Sequence, residues 1–193
     1  MSKTTLSLAL AAVLAATSAV SISTSAQTMS NSQPRAMHAA VQTRGMTQEF
    51  VQKAAMSDLF EIESSKLALQ RSQNRDVKAF AQRMIDDHTK STQKLKSVLQ
   101  TASVGTGPGT ALDRAHQRML DRLQNASGAQ FDRLYMQMQV KGHQDALKVQ
   151  QSYGRRGDND QLKSFASDAA PMVQDHLSQA RQIMGSLGKN RGA

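Results

Sequence analysis

The chain has 193 residues, no cysteine, no tryptophan and a formal net charge of +9. Without cysteine there is no disulfide framework and no thiol to carry a lipoprotein lipid, so the fold must rest on its core. The basic balance would suit nucleic acid, but five Phe, two Tyr and no compact Lys/Arg block leave out the stacking and groove-reading signals, and no nucleic-acid partner is expected.

Residues 1–26 read as a signal peptide. Lys3 gives a basic start, Leu6 to Ala16 an apolar run, and Thr24-Ser25-Ala26 a small-residue cleavage site before Gln27, with a cut after Ala19 as the alternative. The apolar run is shorter than the roughly 20 residues a bilayer span needs. The mature chain is therefore expected in the periplasm, its basic face contacting anionic membrane or cell-wall components peripherally. Residues 27–46, rich in Ser, Gln, Asn and Thr and containing His38, read as a flexible leader, and residues 187–193 as a disordered tail.

The domain is expected over residues 47–186. Helix one should start at Thr47 as N-cap and end near Gln70, with Phe50, Ala54, Glu61, Ser65 and Ala68 on one inner edge and Leu59, Ile62 and Leu69 on the next. After the break at Ser72 to Asn74, helix two carries Val77, Phe80, Ala81, Met84, His88, Leu95 and Val98 inward. Val104 to Thr110 is a loop, and Ala111 to Gln124 a short amphipathic helix. Helix three spans roughly Ala129 to Tyr153 with Phe131, Tyr135, Met138 and Ala146 inward. Gly154 to Gly157 ends it, Asp158 or Asn159 caps helix four, and Leu162, Phe165, Ala166, Ala169, Val173, His176, Ala180 and Ile183 continue the pattern. Pro171 should kink or break that last helix.

Four helices of about 24 residues, each roughly 36 Å long, form a bundle. The long connection between helices two and three, with its own short helix, can walk the length of that bundle. The expected fold is all-α, a ferritin-like four-helix bundle with a short extra helix in the crossover and helices two and three parallel. An up-down-up-down bundle is the alternative. Lys78-Ala79-Phe80-Ala81 leading to Asp87-His88, and Lys163-Ser164-Phe165-Ala166 leading to Asp175-His176, form a faint repeat that duplicated hairpins or ordinary helix composition would equally leave.

Phe50-Val51 with Ala54-Ala55, Glu61-Ile62, Lys66-Leu67-Ala68, Val77 to Ala81, Met84, Asp87-His88, Gly128 with Phe131-Asp132 and Tyr135, His143, and Pro171 with His176-Leu177 carry a resemblance. From Thr47 to Ile183 the chain resembles a bacterial family of unknown function, described as predicted periplasmic or outer-membrane proteins with a ferritin-like helical domain. That resemblance implies the bundle and the exported location, not iron oxidation.

Polar side chains inside a bundle must be paired, protonated or coordinated. A di-iron carboxylate bundle needs two Glu-x-x-His pairs. None exists, and the one Asp-x-x-His, Asp113 to His116, falls on the crossover helix. The inward candidates are Glu61, Asp87, His88, Asp132, His143 and His176, a mixed imidazole and carboxylate set suited to iron, zinc or manganese. The Met-x-x-x-His spacing at Met84/His88 and Met172/His176 adds copper, although methionine at inner positions is more often packing. Buried hydrogen-bonded pairing is the bland alternative for the histidines. No serine sits in a nucleophile turn, and Gly105 to Gly109 lacks the Lys-Ser/Thr of a phosphate loop, so an enzyme is not the expectation. The first functional expectation is an envelope protein binding a transition metal through the inward set, in a stress role. The alternative is a non-enzymatic interaction or chaperone-like protein with structural histidines, which should show a large exposed apolar or Met-lined concavity.

Overall fold

The computed structural model describes residues 33–189, except residues 103 and 106, with side chains from residue 45 onward. The signal-peptide segment and the last four residues lie outside that range. Five helices follow in order: α1 (Gln33–Arg71), α2 (Arg75–Thr101), α3 (Arg114–Gln124), α4 (Gly128–Arg156) and α5 (Asp160–Lys189). None is long and apolar enough to cross a membrane.

Local chemistry accounts for most boundaries. The Asn74 side chain accepts from the backbone N–H groups of Asp76 and Val77, capping α2. Asp113 caps α3 in the same way through Ala115 and His116, which moves its start from the expected Ala111 to Arg114. Asn159 accepts from Leu162 N at 3.0 Å and opens α5. That helix runs through Pro171 without a break and continues to Lys189, into the segment expected as tail.

The start of α1 is the main correction. Thr47 is not its cap, because the helix begins at Gln33 and takes in residues 33–46 of the expected leader. Ala36, Met37, Ala39 and Ala40 favour helix by intrinsic propensity even though no apolar stripe marks them. The Thr47 hydroxyl instead lies 2.6 Å from the Tyr153 hydroxyl and donates to Asp158 Oδ1 at 2.6 Å, tying α1 to the α4–α5 turn.

α1 packs on α2 and α4, and α5 packs on α4 and α2. Chain directions follow from the cross-links. Along α1 and α4, Thr47 meets Tyr153 and Ser65 meets Tyr135, so these helices are antiparallel. Arg83 reaches Gln179 while Lys94 reaches Asp168, so α2 and α5 are antiparallel too. With α1 and α2 joined by a tight break, α2 and α4 must run parallel. This is the four-helix bundle with one long crossover, and the up-down-up-down alternative falls.

The core is divided along the bundle axis. One apolar cluster gathers Phe60, Phe80, Met84, Phe131, Tyr135 and Ile183. The other gathers Phe50, Val51, Leu95, Tyr153, Leu162 and Phe165. Between them, α1, α2, α4 and α5 each interrupt their apolar stripe with buried polar residues: Asp58 and Glu61, His88, Gln139 and His143, and His176. The functional candidates therefore form a polar layer sealed by apolar packing above and below.

Candidate metal centre

His88, His143 and His176 come from α2, α4 and α5 and are 2, 1 and 0% exposed. One ring nitrogen of each lies within 4.8 Å of the other two. The ring centroids are 5.3–5.6 Å apart.

Each ring is fixed through one nitrogen by a different partner. His88 Nδ1 donates to Asp58 Oδ1 at 2.8 Å, His143 Nδ1 to the Gln139 carbonyl at 2.8 Å, and His176 Nε2 to Asp87 Oδ2 at 3.0 Å. These acceptors set the tautomers. The remaining nitrogens, His88 Nε2, His143 Nε2 and His176 Nδ1, are buried and have no hydrogen-bond partner. An orphaned buried polar atom costs about 1–3 kcal/mol, so three of them on rings packed against one another call for an occupant. Histidine ligands characteristically donate their second N–H to a carboxylate or a backbone carbonyl, and all three do so here.

Electrostatics divide the set. Burial, with the His88 charge added, drives His143 down to about 3. Burial also drives His176 down to about 4, against the opposing pull of Asp87. For His88, burial works against the charged ring, but the Asp58 hydrogen bond and the charges of Asp58, Glu61 and Asp87 prevail and raise it. Two of the three imidazoles are thus held neutral, the state a ligand requires.

Glu61 is 2% exposed and burial raises it to about 7. Its Oε1 is 3.8 Å from His143 Nδ1, and its Oε2 has no partner. A Cβ built on Gly142 would lie 3.0 Å from Oε1, so that glycine leaves the room Glu61 occupies.

Two expected members stand elsewhere. Asp87 is half-buried and serves as the acceptor for His176, sharing Arg83 with Asp175. Asp132 is buried, but eleven residues before His143 on α4 is about 16 Å along the axis, which puts it in the far apolar cluster rather than in the polar layer. Met84 is core, as packing predicts, and Met172 is half-buried. His116 lies tilted against Phe60 and bonds to its own cap, Asp113. Asp58 was not among the expected residues. Its spacing, four after Ala54 and three before Glu61, places it on the same inner edge and could have revealed it.

The layer makes metal-free stability depend on pH. His143 and His176 fold below their ordinary 6.5, so the stability they contribute is present above about pH 6.5 and lost as pH falls toward 4 and 3. Glu61 folds above its ordinary 4.5, holding a proton between about 4.5 and 7 that the unfolded chain releases, and this offsets one histidine. The net is one proton. Unfolding free energy is expected to fall as pH drops from about 6.5 to 4.5, on the order of 1 kcal/mol per unit, read by urea denaturation of metal-free protein, and His176→Gln should flatten the slope. A flat wild-type profile would contradict these assignments.

Fold and centre together define an all-α four-helix bundle with a buried three-histidine cluster. The chain belongs to a family of unknown function, DUF4142, which it matches over residues 30–183. No curated protein sequence matches it. Solved structures share the fold at low identity. A DUF305 fragment from Deinococcus radiodurans is 17% identical with a TM-score of 0.63, covering 73% of this chain and 96% of that one. CopM in its Cu(II)-bound form is 20% identical with a TM-score of 0.61, covering 72% and 95%. A DUF305 protein from Streptomyces coelicolor is 14% identical with a TM-score of 0.61, covering 72% and 90%.

Proposed function

We propose that this protein binds one transition-metal ion in its core through His88, His143 and His176, as a non-enzymatic metal-handling protein of the bacterial envelope in a stress role. The observation that carries this reading is the trio of unpartnered ring nitrogens, each ring anchored through its other nitrogen. Magnesium and calcium prefer all-oxygen sets. Three imidazoles suit zinc and copper(II), and copper(II) stands highest in the divalent affinity order. CopM, the similar bundle, has been captured with Cu(II).

Three rings 0–2% exposed are shielded from solvent, which supports binding rather than turnover. The chaperone-like alternative has one observation in its favour, a groove of about 950 Å³ with Met56 and Met119 in its walls, and one against it, Met46 being the one exposed large hydrophobic among the described residues.

Elemental mass spectrometry of protein purified without chelator or affinity tag tests the proposal. About one metal per chain is expected, and its loss from the His88→Ala/His176→Ala variant. Wild-type protein that arrives metal-free and takes up none of iron, zinc, manganese or copper would contradict it.

A further inference from the structure

A groove of about 950 Å³ runs along the α1–α4 seam beneath the crossover. Its α1 and α4 walls include Ala54, Ser57, Gly142 and Ala146, side chains too small to close the seam. At Gly142 the groove comes against the polar layer, because the Glu61 carboxylate lies 3.0 Å from where a Cβ would stand. Behind that gap, Glu61 Oε2 is buried with no partner and Oε1 is 3.8 Å from His143. Gln150, whose buried Oε1 is also unpartnered, lines the same groove. The lysines on its walls are engaged, Lys53 with Glu49 at 2.6 Å and Lys141 with Asp145. Above and below, the layer is closed by the two apolar clusters, and on the α2–α5 side Arg83 lies across Asp87 and reaches Asp175.

Resting on the metal-binding reading above, we propose that this groove is the path by which a transition-metal cation enters and leaves the histidine centre, crossing at Gly142 with Glu61 as the group that receives it. A Cu(II) or Zn(II) ion accepts a carboxylate oxygen as well as imidazole, and Glu61, whose Oε2 has no partner, stands at the neck of the groove to offer one ahead of the rings. Close-packed interiors admit such passage only where a side chain is missing or moves.

Stopped-flow uptake of Cu(II) or Zn(II), followed by release to a chelator, tests the path. In Gly142→Ala and Gly142→Val, uptake and release should both slow by about tenfold or more, a barrier change of roughly 1.4 kcal/mol, while affinity shifts by less than about threefold, since a barrier acts on both directions alike. Should Gly142→Val not fold, Ala146→Met narrows the groove one turn away and should slow both rates in the same sense. Normal uptake in all these variants, with rates altered instead by Arg83→Ala, would move the entrance to the Asp87 side and overturn this proposal alone. Wild-type protein that binds neither metal would overturn the metal-binding reading and this path with it.

Discussion

Replacing Asp58 by alanine should cost about 3–5 kcal/mol of stability, the usual consequence of removing one partner of a buried ionic pair. Asp58 and His88 have side chains 8% and 3% exposed, and their 2.8 Å bond is the one that favours a charged His88. Without the carboxylate, His88 must either bury its charge unpaired or fold neutral with both nitrogens unsatisfied. Thr92, which donates to Asp58 Oδ2 at 3.3 Å, loses its acceptor as well. Urea denaturation measures the loss. Asp58→Asn keeps an acceptor and should lose less, and metal affinity should drop about 10–100-fold with the orientation of the ring. An Asp58→Ala protein within about 1 kcal/mol of wild type would show that the pair does not hold His88.

Metal should stabilise the wild-type fold by about 4 kcal/mol when free metal exceeds its dissociation constant a thousandfold, and should not stabilise His143→Leu at all. Without metal the order is expected to reverse, with His143→Leu at least as stable as wild type. Its Nε2 is an orphan in the metal-free core, and an apolar side chain of similar size removes that penalty of about 1–3 kcal/mol. His143 also lies against Phe80, an apolar neighbour that leucine suits. Denaturation with excess metal and with excess chelator gives all four values. A purely structural histidine would predict the opposite, a metal-free His143→Leu well below wild type and no metal effect in either protein.

The helical breaks were legible because they carry their own chemistry: Asn74 and Asn159 cap, and Gly128 takes the left-handed φ of 52° that glycine tolerates. The parallel course of α2 and α4 was legible from the length of the connection between them. The segment over residues 33–46 was not, because it carries helix propensity without an apolar stripe. In the centre, the period of 3.6 residues identified the inward face for Glu61, His88, His143 and His176, and it fails for Asp132 for an instructive reason. Periodicity assigns a face, not a level. Asp132 and His143 share an edge of α4 three turns apart, and only the register between helices, which Asp58–His88 and Asp87–His176 display, decides which polar residues meet. Asp87 shows the complementary case, a residue off the innermost edge whose role is to hold the ring of a neighbouring helix.

The most direct measurement is a crystal structure of protein loaded with one equivalent of copper or zinc, with anomalous scattering collected at that metal's absorption edge. The expected result is a single peak in the polar layer, bonded to His88 Nε2, His143 Nε2 and His176 Nδ1. A peak at the surface, such as beside Asp113 and His116, with the three buried nitrogens still unligated, would contradict it.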